Sequence, residues 1–395
     1  MRAALWRARS FLMLVALGAC DGEPRSGSTH AAAPPAPHAA TQDRSGSGHA
    51  DPPAAPPPRR PPPPLPSPTA DLPAAAGRGE DFHRGISLGL FVSTDAKRWR
   101  SELYRQFLDE IAEVGATDIQ LVVQWSQADL RATHIVPRRG VTASDALVRW
   151  VVAESTKRGL RVFLMPILHI EERPPGGWRG TLRPDDWDAW WASYANFTLH
   201  YARLAERSGV SLFSVGSELL STEAQAGRWR ALIARVRERF GGALTYSANW
   251  DHFEPVPFWD AVDVAGITGY QELSREDHPR EDTLVAGFRG LQQRLKLWSA
   301  GTGRRYIFTE VGYPSQTHGA RHPWDYRKRG EVDLQLQLRC YRALFRAFHA
   351  DPALGGLFVW NWFGHGGPDD GGYTPRGKPA AEVLRHWFTG SSPMR

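Results

Sequence analysis

Two short apolar segments of this chain end on a glutamate, and the distance between them constrains the fold. Residues 213–218 read Phe-Ser-Val-Gly-Ser-Glu and residues 306–310 read Tyr-Ile-Phe-Thr-Glu, so that Glu218 and Glu310 lie 92 positions apart. One strand-plus-helix unit of a (β/α)8 barrel takes about 31 residues. The spacing therefore predicts that Glu218 ends strand four and Glu310 ends strand seven, with both at the same mouth of the barrel.

The rest of the chain from residue 84 onward alternates between apolar strands and amphipathic helices. Predicted strands cover residues 86–91, 119–125, 162–170, 211–216, 244–248, 264–268, 305–309 and 356–360. Predicted helices cover residues 100–114, 145–157, 185–207, 223–240, 283–298, 334–350 and 380–388, with only a turn at 255–259 after strand five. An open doubly wound sheet has the same alternation but usually carries a glycine-rich phosphate loop after strand one. No such loop follows Leu90, so the pattern favours a (β/α)8 TIM barrel over residues 84–389.

The first 80 residues have a different composition. Positive charges and a short apolar stretch precede Leu-Gly-Ala-Cys at residues 17–20, which predicts a signal peptide at 1–19. The tetrapeptide resembles a bacterial lipobox, and that resemblance implies lipidation of Cys20 and an envelope lipoprotein facing the periplasm or exterior. An ordinary signal peptide cut nearby is the alternative. Residues 20–80 are rich in proline and alanine and predict a disordered tether.

Charge, cysteine content and motifs exclude several functional classes. The net charge is +6, but the basic residues are scattered and the densest run, 327–329, is too short for a phosphate-binding stripe. Two cysteines provide no disulfide framework. The sequence has neither a His-x-Glu-x-x-His motif, nor closely spaced cysteines, nor a Gly-x-Ser-x-Gly motif. We therefore expect no nucleic-acid partner, no metal and no cofactor, and a monomeric chain whose only membrane contact is the lipid.

The predicted strand ends bring together two carboxylates, aromatic rings and an amide. Besides Glu218 and Glu310, the candidate substrate-binding residues at these ends are Trp125, His169, Asn249, Tyr270, Trp360 and Trp362. Acetal hydrolysis needs one carboxylic acid to protonate the leaving oxygen and one carboxylate to attack or stabilise the sugar carbon. Indole rings offer flat apolar faces that suit a pyranose. Each residue also has a structural alternative, since a rim glutamate can pair with arginine and an aromatic ring or His169 can belong to the core.

Four short motifs carry a resemblance to a known family. They are Gly216-Ser217-Glu218-Leu219, Thr309-Glu310-Val311-Gly312-Tyr313, Trp360-Asn361-Trp362, and the ending Gly372-Tyr373-Thr374-Pro375 with Lys378-Pro379-Ala380. The chain resembles the clan A glycoside hydrolases and, within them, glycoside hydrolase family 113. This resemblance implies a retaining enzyme acting on β-1,4-mannan, with Glu218 as acid/base and Glu310 as nucleophile.

The same resemblance implies that Tyr270 steadies the nucleophile and that Trp360 lies under the cleaved sugar. Ser217 departs from the pattern, because most clan members place asparagine before the acid, where it bonds the sugar's 2-hydroxyl. Together these features predict an endo-acting β-glycanase. The resemblance implies mannan or glucomannan as substrate, with another β-linked polymer left open, and a non-catalytic polysaccharide-binding barrel is the alternative.

The two roles also predict a geometry and a protonation pattern. A retaining pair of carboxyl groups lies roughly 5 to 5.5 Å apart, whereas an inverting pair leaves room for a water. The nucleophile Glu310 must be ionised, so we expect its neighbours to favour the anion. Glu218 must begin protonated, and the charge on Glu310 is expected to raise its pKa.

Overall fold

The computed structural model describes residues 68–91 and 97–390. Cys20, the predicted signal peptide and the predicted tether up to residue 67 lie outside the described residues, so those predictions stay predictions. Among the described residues, no helix is both long enough and apolar enough to cross a membrane.

Eight parallel strands close into a barrel, and a ninth strand forms a short antiparallel extension. The strands are β1 (His83–Gly89), β2 (Asp118–Gln127), β3 (Ile135–Val136), β4 (Arg161–Ile170), β5 (Leu212–Ser217), β6 (Ala243–Ala248), β7 (Val264–Thr268), β8 (Tyr306–Val311) and β9 (Leu354–Val359). Parallel pairing runs from β1 through β2, β4 and onward to β9, which pairs with β1 again, while β3 pairs only with β2. The predicted TIM barrel is confirmed, and β5 and β8 are its fourth and seventh strands.

Helices surround the barrel, with one gap after β6. They are α1 (Lys97–Glu113), α2 (Asp145–Lys157), α3 (Trp187–Ser208), α4 (Ala226–Arg237), α5 (Glu281–Gly287), α6 (Arg289–Thr302), α7 (Leu334–Phe348) and α8 (Pro379–Thr389). Only a 3-10 turn, Trp259–Ala261, lies between β6 and β7, as the weak helical pattern there predicted. The single helix predicted at 283–298 is two helices that meet at Phe288.

Side chains alternate between the barrel interior and the helix layer along each strand. The interior cluster contains Val122, Phe163, Met165, Ile167, Leu212, Ile307 and Phe358. The intervening residues, such as Leu164, Phe213 and Ile267, belong to the larger cluster under the helices. This period of two decides which strand-end side chains reach the mouth.

The segment 68–80, which the sequence pattern assigned to the tether, packs onto the barrel domain. Leu72 and Ala75 are buried, and the guanidinium of Arg78 donates to the carbonyls of His349, Asp351 and Leu354 at 2.6 Å each. In return, Arg342 on α7 donates to the carbonyls of Pro68 and Ala70. The prediction that the tether extends to residue 80 is wrong, because a few apolar contacts and backbone carbonyls suffice to bind a proline- and alanine-rich segment.

Two deletions test this boundary. Removing residues 24–78 deletes Leu72, Ala75 and Arg78 and should lower the stability of the domain by roughly 3 kcal/mol, or about 5 °C in Tm. Removing residues 24–66 spares all of these contacts and should leave Tm unchanged. Thermal unfolding of both variants beside the full chain measures the difference, and equal Tm values for the two deletions would contradict the docking.

Candidate active site

Four of the six predicted substrate-binding residues lie at the mouth of the barrel. His169 shares the interior side of β4 with Phe163, Met165 and Ile167, and Trp360 packs against the same interior cluster. Asn249 and Tyr270 follow β6 and β7 and contact the two glutamates directly. The structure therefore brings His169, Asn249, Tyr270 and Trp360 together with Glu218 and Glu310.

Trp125 and Trp362 lie elsewhere, and their prediction as residues of the mouth is wrong. The ring of Trp125 lies 5.5 Å from that of Phe197 and 5.2 Å from that of His200, both on α3. Trp362 is buried, and its indole N–H donates to Oε2 of Glu110 on α1 at 2.8 Å. Trp125 faces the helix layer because it lies an odd number of residues from the interior Val122 on β2. Trp362 faces the helix layer because it follows the end of β9, where strand alternation no longer sets the direction of a side chain.

Glu218 reaches the mouth through an irregular backbone. A β-bulge separates Ser214 from Ser217 in the pairing with β6, and Glu218 itself has a φ of 56° in the left-handed region. This conformation costs a non-glycine residue about 1 to 2 kcal/mol. The backbone N–H of Glu218 donates to the carbonyl of Ser247 at 2.8 Å and that of Leu219 to the hydroxyl of Tyr246 at 3.1 Å. Bulges beside active sites commonly re-aim a side chain in this way.

Glu310 lies beside a second irregularity. The register of β8 shifts against both neighbours, so that Thr268 of β7 opposes Glu310 and an extra residue, Thr309, is accommodated. The hydroxyls of Thr309 and Ser247 lie 2.6 Å apart inside the barrel. Gln120 donates to the carbonyl of Thr309 at 2.9 Å. These contacts fix the backbone that presents Glu310, whose carboxylate accepts a hydrogen bond from Tyr270 at 3.0 Å.

Glu218 has two polar partners, and one of them was not predicted. Nδ2 of Asn249 donates to Oε1 of Glu218 and Nη2 of Arg179 donates to Oε2, each at 3.2 Å. Arg179 lies in the 3-10 turn Arg179–Thr181 of the loop after β4. Arg179 lies in a loop, where no periodic sequence pattern marks a functional residue. The only sequence signal for Arg179 is its place shortly after the strand that carries His169.

The two carboxylates influence each other's ionisation. Burial and the negative charge of Glu218 raise the pKa of Glu310 to about 8, while the Arg179 charge and the Tyr270 hydroxyl lower it. Two carboxylates that interact so strongly titrate as a pair, so the raised pKa belongs to the pair. The raised pKa of Glu310 runs opposite to the expectation that its neighbours favour the anion, because Glu310 is the more deeply buried and the cation contacts Glu218.

The surroundings of the site also shift the pKa values of Tyr270 and His169 and so set their hydrogen-bonding roles. Burial and then the charge of Glu310 raise the pKa of Tyr270 well above its usual value, so its hydroxyl stays a donor. Burial, followed by the charges of Arg173 and Arg179, lowers the pKa of His169. His169 is therefore a neutral imidazole at the mouth at neutral pH.

A buried hydrogen-bonded chain supports the backbone behind Glu218. The Tyr246 hydroxyl, which accepts from Leu219, donates to Oε1 of Glu223 at 2.7 Å, and Oε2 of Glu223 lies 3.0 Å from Nδ1 of His252. Glu223 is almost completely buried, and that burial raises its pKa despite these bonds. The chain links a partly exposed histidine to the residue that follows Glu218.

Exposed rings and a buried lysine shape the loops around the mouth. Trp250, after β6, and Trp324, in the loop after β8, have ring centroids 6.4 Å apart, and Trp324 is 45% exposed. Nζ of Lys378 donates to Oγ of Ser315 at 2.9 Å and lies 3.3 Å from Asp370. Lys378 thus joins the loops that follow β8 and β9, and Asp370, whose backbone and side chain hold these turns, is structural.

The comparisons with known proteins agree with this site. The model of Glycoside Hydrolase Family 113 matches residues 90–370. The chain belongs to glycoside hydrolase family 113. The match spans the strands that carry both glutamates and the loops that follow them, and it makes the chain a β-mannanase-like glycoside hydrolase. No curated protein sequence matches the chain.

Solved structures of family 113 share the fold over most of this chain. The β-mannanase AaManA from Alicyclobacillus acidocaldarius, solved in complex with ManMIm, has a TM-score of 0.70 and 29% identity, covering 78% of this chain and 97% of that one. A family 113 β-1,4-mannanase, also solved as a complex, has a TM-score of 0.70 and 24% identity over 78% and 99% of the two chains. A β-glucuronidase from Faecalibacterium prausnitzii, at 15% identity and a TM-score of 0.54 over 78% of this chain and 49% of that one, shares the fold alone.

Membership of family 113 favours an enzyme over the non-catalytic binding barrel. A binding module needs exposed rings, whereas a buried pair of interacting carboxylates is costly and serves proton transfer or attack. Among the described residues, no group of three or more His, Cys, Asp or Glu side chains could hold a metal ion.

The pH dependence of hydrolysis should report the carboxylate pair. On an unactivated β-1,4-linked oligosaccharide, kcat/KM should fall as pH rises through about 8, because the pair loses the proton that the leaving oxygen requires. Arg179 lowers the pKa of Glu310, so Arg179→Gln should move this alkaline midpoint upward, by roughly 0.5 to 1 in pH.

Arg183→Gln is the matched control, since Arg183 lies in the same loop with an exposed side chain. It removes the same charge and should leave the alkaline midpoint in place. A downward movement in Arg179→Gln, or equal movement in both variants, would contradict the proposed electrostatic link.

Proposed function

We propose that this glycoside hydrolase is a retaining endo-β-glycosidase that cleaves β-1,4-mannan or glucomannan by double displacement. The observation that carries the proposal is the carboxylate pair, in which Tyr270 donates to Glu310 while Arg179 and Asn249 donate to Glu218. The substrate class is supported by the solved family 113 relatives, which are β-mannanases. We expect the two carboxyl groups to lie about 5 to 5.5 Å apart.

The reaction has two steps that use each carboxylate twice. An oxygen of ionised Glu310 attacks the anomeric carbon, and Glu218 gives its proton to the departing glycosidic oxygen as the bond to that oxygen breaks. The resulting glycosyl ester removes the charge of Glu310, so Glu218 is then the anion and can take a proton from water. The hydroxide equivalent attacks the anomeric carbon from the β face and releases Glu310, with overall retention.

This sequence requires a proton to lie on Glu218 when the sugar is bound. In the unliganded site, burial and the charge of Glu218 raise the pKa of Glu310, whereas the Tyr270 hydroxyl donates to Glu310 and stabilises its anion. Sugar binding must therefore strengthen the preference for the Glu310 anion.

Binding of the sugar is assigned to the rings and the amide of the mouth. Trp360 is partly exposed at the end of β9 and offers a face for the cleaved residue, as the family resemblance implies. Asn249, which bonds Glu218, supplies an amide near the position where Ser217 replaces the usual asparagine. The partly buried Trp250 ring and the exposed Trp324 ring offer a further stacking surface for the polymer.

Substitution of each glutamate tests the two roles. Glu310→Ala should abolish turnover of every substrate, by about 10⁴-fold or more. Glu218→Ala should spare the first step for an activated aryl β-mannoside, which needs little protonation, but should slow hydrolysis of mannan by roughly 10² to 10⁴-fold. Added azide should then partly restore Glu218→Ala and yield a β-glycosyl azide.

Glu172→Ala is the control for this pair, because Glu172 is an exposed carboxylate in the loop after β4. It should retain wild-type turnover on both substrates. An α-glycosyl azide, or rescue of Glu310→Ala alone, would show that the roles or the stereochemistry are reversed.

We also propose that the enzyme is anchored to the cell envelope by lipid on Cys20. The support is the tetrapeptide Leu-Gly-Ala-Cys at residues 17–20 and the proline-rich segment that follows it. Cys20→Ser should move the protein from the membrane fraction to the soluble fraction, as measured by fractionation and by the mass of the mature N-terminus. A wild-type protein that is already soluble after export would contradict the anchor.

A further inference from the structure

One hydrogen bond joins loops on opposite sides of the barrel mouth. Arg173 lies in the loop between β4 and α3, and Tyr326 lies in the loop between β8 and α7. Nη2 of Arg173 donates to the hydroxyl of Tyr326 at 2.8 Å.

The topology places this bond across the mouth. Between β4 and β8 the barrel has three strands in one direction, β5, β6 and β7, and three in the other, β9, β1 and β2. The two strands are therefore opposite each other. Both loops leave the carboxyl ends of their strands, the end at which Glu218 and Glu310 are found. A contact between these loops must cross the mouth on the solvent side of the carboxylates.

Both ends of the Arg173–Tyr326 hydrogen bond, here called the bridge, connect to the site. On one side, Tyr373 donates to the carbonyl of Pro323, three residues before Tyr326, and its ring lies 6.4 Å from that of Tyr270, the partner of Glu310. On the other side, Arg173 and Arg179 belong to one loop, and the charges of both act on His169. The loop between β4 and α3 thus carries both Arg173 and Arg179, a partner of Glu218, while the loop between β8 and α7 contacts Tyr373 beside Tyr270.

The loop after β8 is fixed at its base and exposed beyond the bridge. Oγ of Ser315 donates to the carbonyl of Asp370, and Nε2 of Gln316 donates to that of Gly371 at 2.7 Å. Residues 327–332 are exposed. The bridge can therefore open by loss of one hydrogen bond without disturbing the anchored base.

We propose that Arg173 and Tyr326 determine the length of substrate that the enzyme accepts. A chain end or a short oligosaccharide can enter beside or beneath the closed bridge. An internal segment of a polysaccharide continues beyond the mouth in both directions, so it enters sideways only when the Arg173–Tyr326 bond is broken. This inference rests on the proposed function, because it concerns the passage of a β-1,4-linked chain to the same two glutamates.

Two substitutions in the full-length chain remove the bond with little change in side-chain volume. Tyr326→Phe deletes the acceptor hydroxyl, and Arg173→Met deletes the donors but keeps the apolar stem. Each should raise kcat/KM for soluble β-1,4-mannan relative to kcat/KM for a manno-tetrasaccharide by roughly threefold or more, with the tetrasaccharide value changed little. The double variant should give the same ratio as either single variant, because each breaks the same bond.

Arg183→Met is the matched control and should keep the wild-type ratio. If both bridge variants retain the wild-type Tm and also the wild-type ratio, or if the double variant adds the effects of the singles, the bridge proposal is overturned. If the wild-type enzyme hydrolyses neither substrate nor an aryl β-mannoside, the proposed function fails instead. The two failures are therefore distinguished by the wild-type measurements alone.

Discussion

The repulsion between two carboxylates in one buried mouth is the interaction on which the rest of the site depends. Two unit charges about 5 Å apart repel by roughly 3 kcal/mol at an effective dielectric constant near 20, and the burial of Glu310 adds a desolvation cost. The structure offsets this with hydrogen bonds, from the Tyr270 hydroxyl to Glu310 and from Arg179 and Asn249 to Glu218. The uneven division of these partners makes the two glutamates chemically different, which double displacement requires.

The barrel supports this arrangement with irregular backbone that costs stability. Glu218 has a left-handed backbone conformation, and each glutamate is associated with a shift in strand register. The side-chain network from His252 through Glu223 and Tyr246 to Leu219 fixes the backbone next to Glu218. The strained backbone that presents Glu218 lowers the stability of the fold. The packing of the surrounding buried strands compensates for that loss.

The loops, rather than the strands, decide how a long substrate reaches the pair. Lys378 is buried between the loops after β8 and β9, where its ammonium group donates to both loops. These bonds are the physical reason for a lysine after the Gly-Tyr-Thr-Pro segment. The Arg173–Tyr326 bond extends from this anchored base to the opposite side of the mouth. Chemistry at the strand ends and selectivity in the loops is the usual division of labour in a TIM barrel.

The sequence by itself determined the barrel and the strand numbers of Glu218 and Glu310, because apolar segments recur at a regular spacing and two of them end on a glutamate. The family followed from the resemblance of four short motifs. It also placed His169, Asn249, Tyr270 and Trp360 at the mouth. Only the tertiary structure decided that Trp125 and Trp362 face the helices, since Trp125 lies on the outward side of β2 and Trp362 follows the end of β9, where alternation no longer applies. Only the structure placed Arg179 on Glu218 and Arg173 on Tyr326, because loop contacts between distant residues leave no periodic signal in the chain. The protonation of the pair also depends on tertiary structure, because burial and partner distances set a pKa and neither can be read from residue order.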